Sequence, residues 1–155
     1  MLKRINIFIR ASFLLAAFSL SSCKVDENTN DSKMKNQLIM DVVVFNYTHI
    51  PIFEVLLNDR VDGAAPPFGG GNAIVVGVII PLGDQSLTWR DAGSGKTFFA
   101  KNKLSINPGE MPKENNYIGI HIYSDETAEL TFSSRLPEPT LRGRKILDEA
   151  EKNGK

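Results

Sequence analysis

The sequence predicts an all-β fold, an antiparallel β-sandwich or open barrel of about six to seven strands with a short C-terminal helix. Two observations predict it. Between positions 37 and 133 the apolar residues fall in short, β-branched runs separated by Gly, Pro, Asn and Asp. Helical spacing is confined to the tail, beyond Pro137 and Pro139.

The elements follow in order. Residues 38–45 (LIMDVVVF) form the first run, and 52–57 (IFEVLL) the second, after turn signals at 46–51. Residues 73–80 (AIVVGVII) are apolar at both parities, the pattern of a central strand buried on two faces. Residues 86–90 (SLTWR) are short and alternating, and 97–106 hold a further strand broken near Lys101-Asn102. Residues 117–123 (YIGIHIY) and 128–133 (AELTFS) make a hairpin across 124–127. The tail 141–152 (LRGRKILDEAEK) reads as a frayed helix on the outside of the domain, weakened by Gly143 by about 1 kcal/mol relative to Ala.

Length and charge bound the function. A chain of 155 residues suits one domain with a leader. Lys+Arg and Asp+Glu both number 18; losing Lys3, Arg4 and Arg10 with a leader leaves 15 basic residues, a net of −3. A mildly acidic domain without a basic tract is a poor ligand for a phosphate backbone, so no nucleic-acid partner is expected.

The leader is the clearest signal. Lys3 and Arg4 precede an apolar segment at 5–20 whose uninterrupted part, 11–20, is about half the ~20 residues a spanning helix needs. It ends in Leu20-Ser21-Ser22-Cys23, which resembles the lipobox of bacterial lipoproteins. In that chemistry the thiol is alkylated by a diacylglycerol, small residues admit the peptidase, and the new amino terminus is acylated. Several acyl chains hold where one does not. An ordinary secretory signal with an incidental Cys23 is the alternative. Lys24 after the cysteine, in place of an aspartate, leaves the outer membrane, periplasmic face, as the expected location. The expected organisation is a signal peptide at 1–22, lipidated Cys23 and a polar tether to 36 (KVDENTNDSKMKN), a β domain at 37–136, and a tail at 137–155. As a random coil the tether reaches about 20 Å.

Several motifs invite chemistry and fit a plainer role. Gly93-Ser94-Gly95-Lys96-Thr97 echoes a phosphate-binding loop, but Arg90 stands where its first glycine belongs and strand-like Phe98-Phe99 follows where a helix is needed. A turn is expected, with no nucleotide. Metal ligation is not expected from His49 and His121 alone, Cys23 being the only cysteine. His121 is read as facing away from Ile120 and Ile122 on a sheet surface, and His49 as a turn residue. Asp59, Asp62, Glu110 and Glu114 are read as solvated loop charges. No G-x-S-x-G elbow occurs. No cofactor and no enzymatic activity are expected. Gly69-Gly70-Gly71 closes a loop at 60–72 that is either a tolerated connection or a presented surface with Phe68 as its apolar anchor.

Asn46-Tyr47-Thr48, Pro51-Ile52, Leu57-Asn58-Asp59, the Gly69-Gly70-Gly71 loop, Ile80-Pro81 and Leu87-Thr88-Trp89 resemble, in order and spacing, a family of small bacterial lipoproteins associated with type VI secretion. The resemblance spans residues 42–133. It departs at 72–76 (NAIVV), where the family pattern carries one or two cysteines. The resemblance implies no catalytic residue. It implies an immunity protein that binds an antibacterial phospholipase effector and obstructs its catalytic cleft or lipid-docking surface. The loops expected to make that contact are 58–72, with Asp59, Arg60 and Phe68, and 107–116, with Glu110 and Met111. The alternative is an envelope-maintenance lipoprotein that binds a glycan or another envelope protein.

Overall fold

The computed structural model describes residues 37–111 and 116–155. The expected signal peptide, lipidated Cys23 and tether lie outside the described residues. Among the described residues ten strands and one α-helix follow in order: β1 (Gln37–Tyr47), β2 (Ile52–Leu57), β3 (Gly63–Ala65), β4 (Gly69–Pro81), β5 (Gly83–Gln85), β6 (Leu87–Asp91), β7 (Thr97–Phe99), β8 (Leu104–Ile106), β9 (Tyr117–Tyr123), β10 (Ala128–Ser133) and α1 (Leu141–Lys152). One four-stranded sheet has the order β10-β9-β1-β4, a second the order β3-β2-β6-β7, and β5 and β8 form a two-stranded ribbon. The fold is mostly β with one terminal helix, consistent with a β-sandwich.

Alternation builds the core. Met40, Val42 and Val44 of β1 and Ile118, Ile120 and Ile122 of β9 point to one face of the first sheet, joined by Val78 and Ile80 of β4. Ile52, Val55, Leu57, Leu87 and Trp89 of the second sheet complete the same buried cluster. Each such side chain contributes about 1.5–3 kcal/mol on leaving water.

Three expectations need correcting. The sheets are not wholly antiparallel, because β1 and β9 pair in parallel, Asp41 with Tyr117 through Tyr47 with Tyr123. The run at 73–80 is not a central strand. It belongs to β4, which begins at Gly69 and forms an edge, with Val78 and Ile80 inward and Ile74, Val76 and Ile79 exposed. The glycine triplet therefore starts a strand rather than closing a loop. Gly70 pairs with Phe45 so tightly that a Cβ there would collide with the Val44 carbonyl oxygen. β4 also bulges near Gly77, whose N–H donates to Asp41 Oδ1 at 2.9 Å.

The third correction concerns the tail. α1 is docked, not frayed. Val43, Phe45, Tyr47 and Tyr123 on the outer face of the first sheet pack against Ile146 and Leu147. Thr140 caps the helix by accepting from the Gly143 N–H at 2.9 Å, and its hydroxyl is bonded to Tyr123 Oη at 2.8 Å. Arg142 lies 3.8 Å over the Tyr123 ring and pairs with Asp125 at 2.7 Å. Gly143 is buried where a Cβ would enter the Tyr47 ring, so the residue that weakens helix propensity is the one that permits the packing.

The register gives the sandwich two ends. Gln37, Pro81, Asn58, Gln85 and Ile106 gather at the near end, where the chain enters β1. Tyr47, Ile52, Asp91 and Tyr123 lie at the far end.

Candidate functional site

The far end is organised by Asn46, which is fully buried. Its amide nitrogen donates to Ile50 O at 2.7 Å, Pro66 O at 3.0 Å and Ala65 O at 3.3 Å, while its Oδ1 accepts from the Thr48 N–H at 2.9 Å. One side chain thus ties the β1–β2 turn to the β3–β4 connection. Phe68 N–H adds a bond to Thr48 O at 3.1 Å, and Ala92 N–H joins the β6–β7 turn to Pro51 O at 2.9 Å.

The β1–β2 turn and the β9–β10 hairpin, with β6 and β7, line a hollow of about 100 Å³ formed by Thr48, His49, Ile50, Trp89, Phe98, Tyr123, Ser124 and Glu126. Trp89 and Phe98 stack at 6.0 Å beneath it. Glu126 holds φ at 63° and pairs with Lys101 at 2.9 Å. An apolar floor with a polar rim suits one protruding side chain; pockets for drug-sized ligands run to about 300–1,000 Å³.

The glycine-serine-lysine run is the turn its sequence context predicts. Asp91 accepts from Ser94 Oγ at 2.6 Å and the Gly93 N–H at 2.7 Å, and these bonds hold its carboxyl below the usual range. Arg90, in the position of the missing glycine, donates to Gly95 O and to both carboxylate oxygens of Glu54.

His121 lies on the outer face of the first sheet, beside the residues that α1 packs on. It does face away from Ile120 and Ile122, but that face is not a free surface and the ring is fully buried. Its Nδ1 is 2.9 Å from Tyr47 Oη, its Nε2 is 2.9 Å from Thr131 Oγ1, and it stacks on Phe45 at 4.6 Å. Burial pulls its pKa down to about 4 and pushes the Tyr47 phenol up, so both are neutral. A neutral imidazole has one donor and one acceptor. One hydroxyl therefore donates to it and the other accepts, a brace across β1, β9 and β10.

The five expected contact residues divide between the ends. Asp59 and Arg60 are exposed beyond β2 at the near end, with φ 58° at Asp59. Glu110 ends a 3-10 turn (Pro108–Glu110) that follows β8, also near. Met111 is partly buried against the core. Phe68 alone reaches the far end, half-buried at φ 48°, in a shallow hollow with Ile146, Ala150 and Asn153 of the helix end. Sequence reasoning named His49, Ser124 and Glu126 only as turn residues; their convergence depends on pairings between distant strands. Among the described residues no group of three or more His, Cys, Asp or Glu is placed to hold a metal ion, and no helix is long and apolar enough to cross a membrane. Comparison of the chain with protein-family models, curated proteins and solved structures finds no match.

Proposed function

We propose that this protein is a lipid-anchored binder on the periplasmic face of the outer membrane whose far-end loops seize and neutralise a phospholipase effector of type VI secretion. The observation that carries the reading is the polarity of the molecule. The tether enters at the near end, and the loops that form a rimmed hollow lie at the other. β1 has 11 residues, which at about 3.3 Å each separate the two ends by roughly 35 Å. A protein held through Cys23 thereby presents its loops clear of its own anchor. Tethering also raises its local concentration where a membrane-attacking enzyme acts.

The residues that resemble the immunity family support the same reading in part. Asn46-Tyr47-Thr48 and Pro51 build the far end, and Trp89 of Leu87-Thr88-Trp89 lies in the floor of its hollow. Phe68 and the rim residues His49 and Glu126 are the proposed anchors, in an interface of about 800 Å² per partner with a few dominant contacts. Asp59, Arg60, Glu110 and Met111 fall outside it.

The test takes the products of the genes flanking the one that encodes this chain and assays them for phospholipase activity with and without the purified protein. The expected result is one active phospholipase, bound and inhibited at stoichiometric amounts. An active flanking phospholipase that is neither bound nor inhibited refutes the proposal and favours the envelope-maintenance alternative.

A further inference from the structure

Among the described residues, the outer face of the β10-β9-β1-β4 sheet is covered over only half its length. α1 covers Val43, Phe45 and Tyr47 towards the far end. Towards the near end the same face carries Ile39 and Ile79, directly paired across β1 and β4, with Ile74 and Val76 further along β4. Ile39 and Val76 are each 73% exposed, Ile79 44% and Ile74 43%. Arg60 lines an open groove of about 400 Å³ with residues 75–79, which sets an arginine at the edge of this strand. Sheet edges are ordinarily blunted by charge, proline or a covering element. A contiguous apolar patch on an edge strand instead marks a surface that something covers.

The position of the patch says what covers it. Ile39 stands two residues past Gln37, where the described chain begins, and only thirteen residues separate Gln37 from Cys23. If Cys23 is acylated, as the proposed function holds and as this inference requires, so short a connection keeps this end of the domain beside the headgroups. Aliphatic side chains rimmed by an arginine match a bilayer interface, the aliphatics entering the acyl boundary and the guanidinium meeting phosphate. We infer that Ile39, Ile74, Val76 and Ile79, with Arg60 at their rim, dock on the lipid surface that holds Cys23, so that the domain rests on the membrane by this edge instead of swinging on its tether.

The experiment uses the full chain, processed and acylated in a bacterial host, in phosphatidylethanolamine–phosphatidylglycerol vesicles containing a doxyl lipid. Cys23 is the only native cysteine, so once it is acylated a new thiol can be labelled alone. Ile39→Cys and Val76→Cys carry a fluorophore at the patch, and Ala92→Cys carries it in the exposed β6–β7 turn at the far end. Docking to the interfacial depth of about 5–10 Å predicts roughly twofold or greater quenching at positions 39 and 76 and little at 92. Unquenched labels at 39 and 76, on protein whose mass shows an acylated Cys23, overturn docking and leave the anchor reading intact. A mass showing unmodified Cys23 overturns the anchor reading and this inference with it. Self-quenching at 39 and 76 that rises with protein density and ignores the doxyl lipid assigns the patch to a second copy of the chain and also overturns docking.

Discussion

At the scale of single residues, the far end depends on one buried amide whose two ends do different work. Asn46 donates to three carbonyl oxygens and accepts from the Thr48 N–H, all at a position with no exposure. Asn46→Ala leaves buried groups on both the donor and acceptor sides without partners, a loss expected to cost about 2–4 kcal/mol. Asn46→Asp discriminates further. It keeps the acceptor for Thr48 but points a carboxylate at the carbonyls of Ile50, Ala65 and Pro66, so it should cost at least as much as alanine. Urea denaturation of the three proteins measures this, and an Asp variant within about 0.5 kcal/mol of the parent would sink the clasp argument. Asn58 plays the matching part at the near end, accepting from the Ser86 N–H at 2.7 Å and donating to Gln85, but it is partly exposed. Its replacement should cost less.

At the scale of elements, α1 and the sheet face beneath it make two predictions. In an exposed helix, Gly→Ala stabilises by about 1 kcal/mol. Gly143→Ala should do the opposite, lowering stability by about 1–3 kcal/mol, because the added methyl meets the Tyr47 ring, itself stacked on Tyr123 at 5.1 Å. A raised melting temperature for Gly143→Ala would mean that α1 does not sit on Tyr47. The second prediction is a pH dependence. His121 is pulled down to about 4 in the fold from an ordinary 6.5, so between those values the unfolded chain binds the extra proton. The stability due to the neutral ring is complete above about pH 6.5 and is lost as pH falls through 4, at up to about 1.4 kcal/mol per pH unit. His121→Gln should flatten the stability profile between pH 6.5 and 5, where few carboxylates titrate; an unchanged slope would contradict the burial of the ring. The sequence shows the alternation that turns His121 away from Ile120 and Ile122. It does not show that the face is covered, because the covering helix contains a glycine and a mixed set of faces, which read as weakness. The hairpin of β9 and β10 was legible from its local turn. The parallel pairing of β1 with β9 was not, since about 70 residues intervene and no local signal encodes it. β4 misled for a related reason: an apolar strand at both parities looks the same whether or not a second strand lies beyond it.

At the scale of the whole molecule, the function proposed requires the two ends to act independently. The five residues expected from loop character to contact a partner test this, because the fold separates them. Phe68 lies beside the far-end turns, bonded through its N–H to Thr48 O, and shares a hollow with the end of α1. Arg60 lies by the β4 edge beyond β2, eight residues back along the chain, at most about 29 Å away, and lines no part of the far-end hollow. If the effector is held by the far end, Phe68→Ala should weaken binding by at least about 1 kcal/mol, roughly fivefold in Kd, through loss of an apolar anchor. Arg60→Ala should leave Kd within about twofold, since a charge distant from an interface and screened over a Debye length of about 8 Å contributes little. Calorimetric titration of the effector with each variant reads both. The converse pattern, a weakened Arg60→Ala and an unchanged Phe68→Ala, would move the interface to the near end. The effector would then compete with lipid for the same edge, and holding the partner away from the membrane could no longer be a consequence of which end the tether enters.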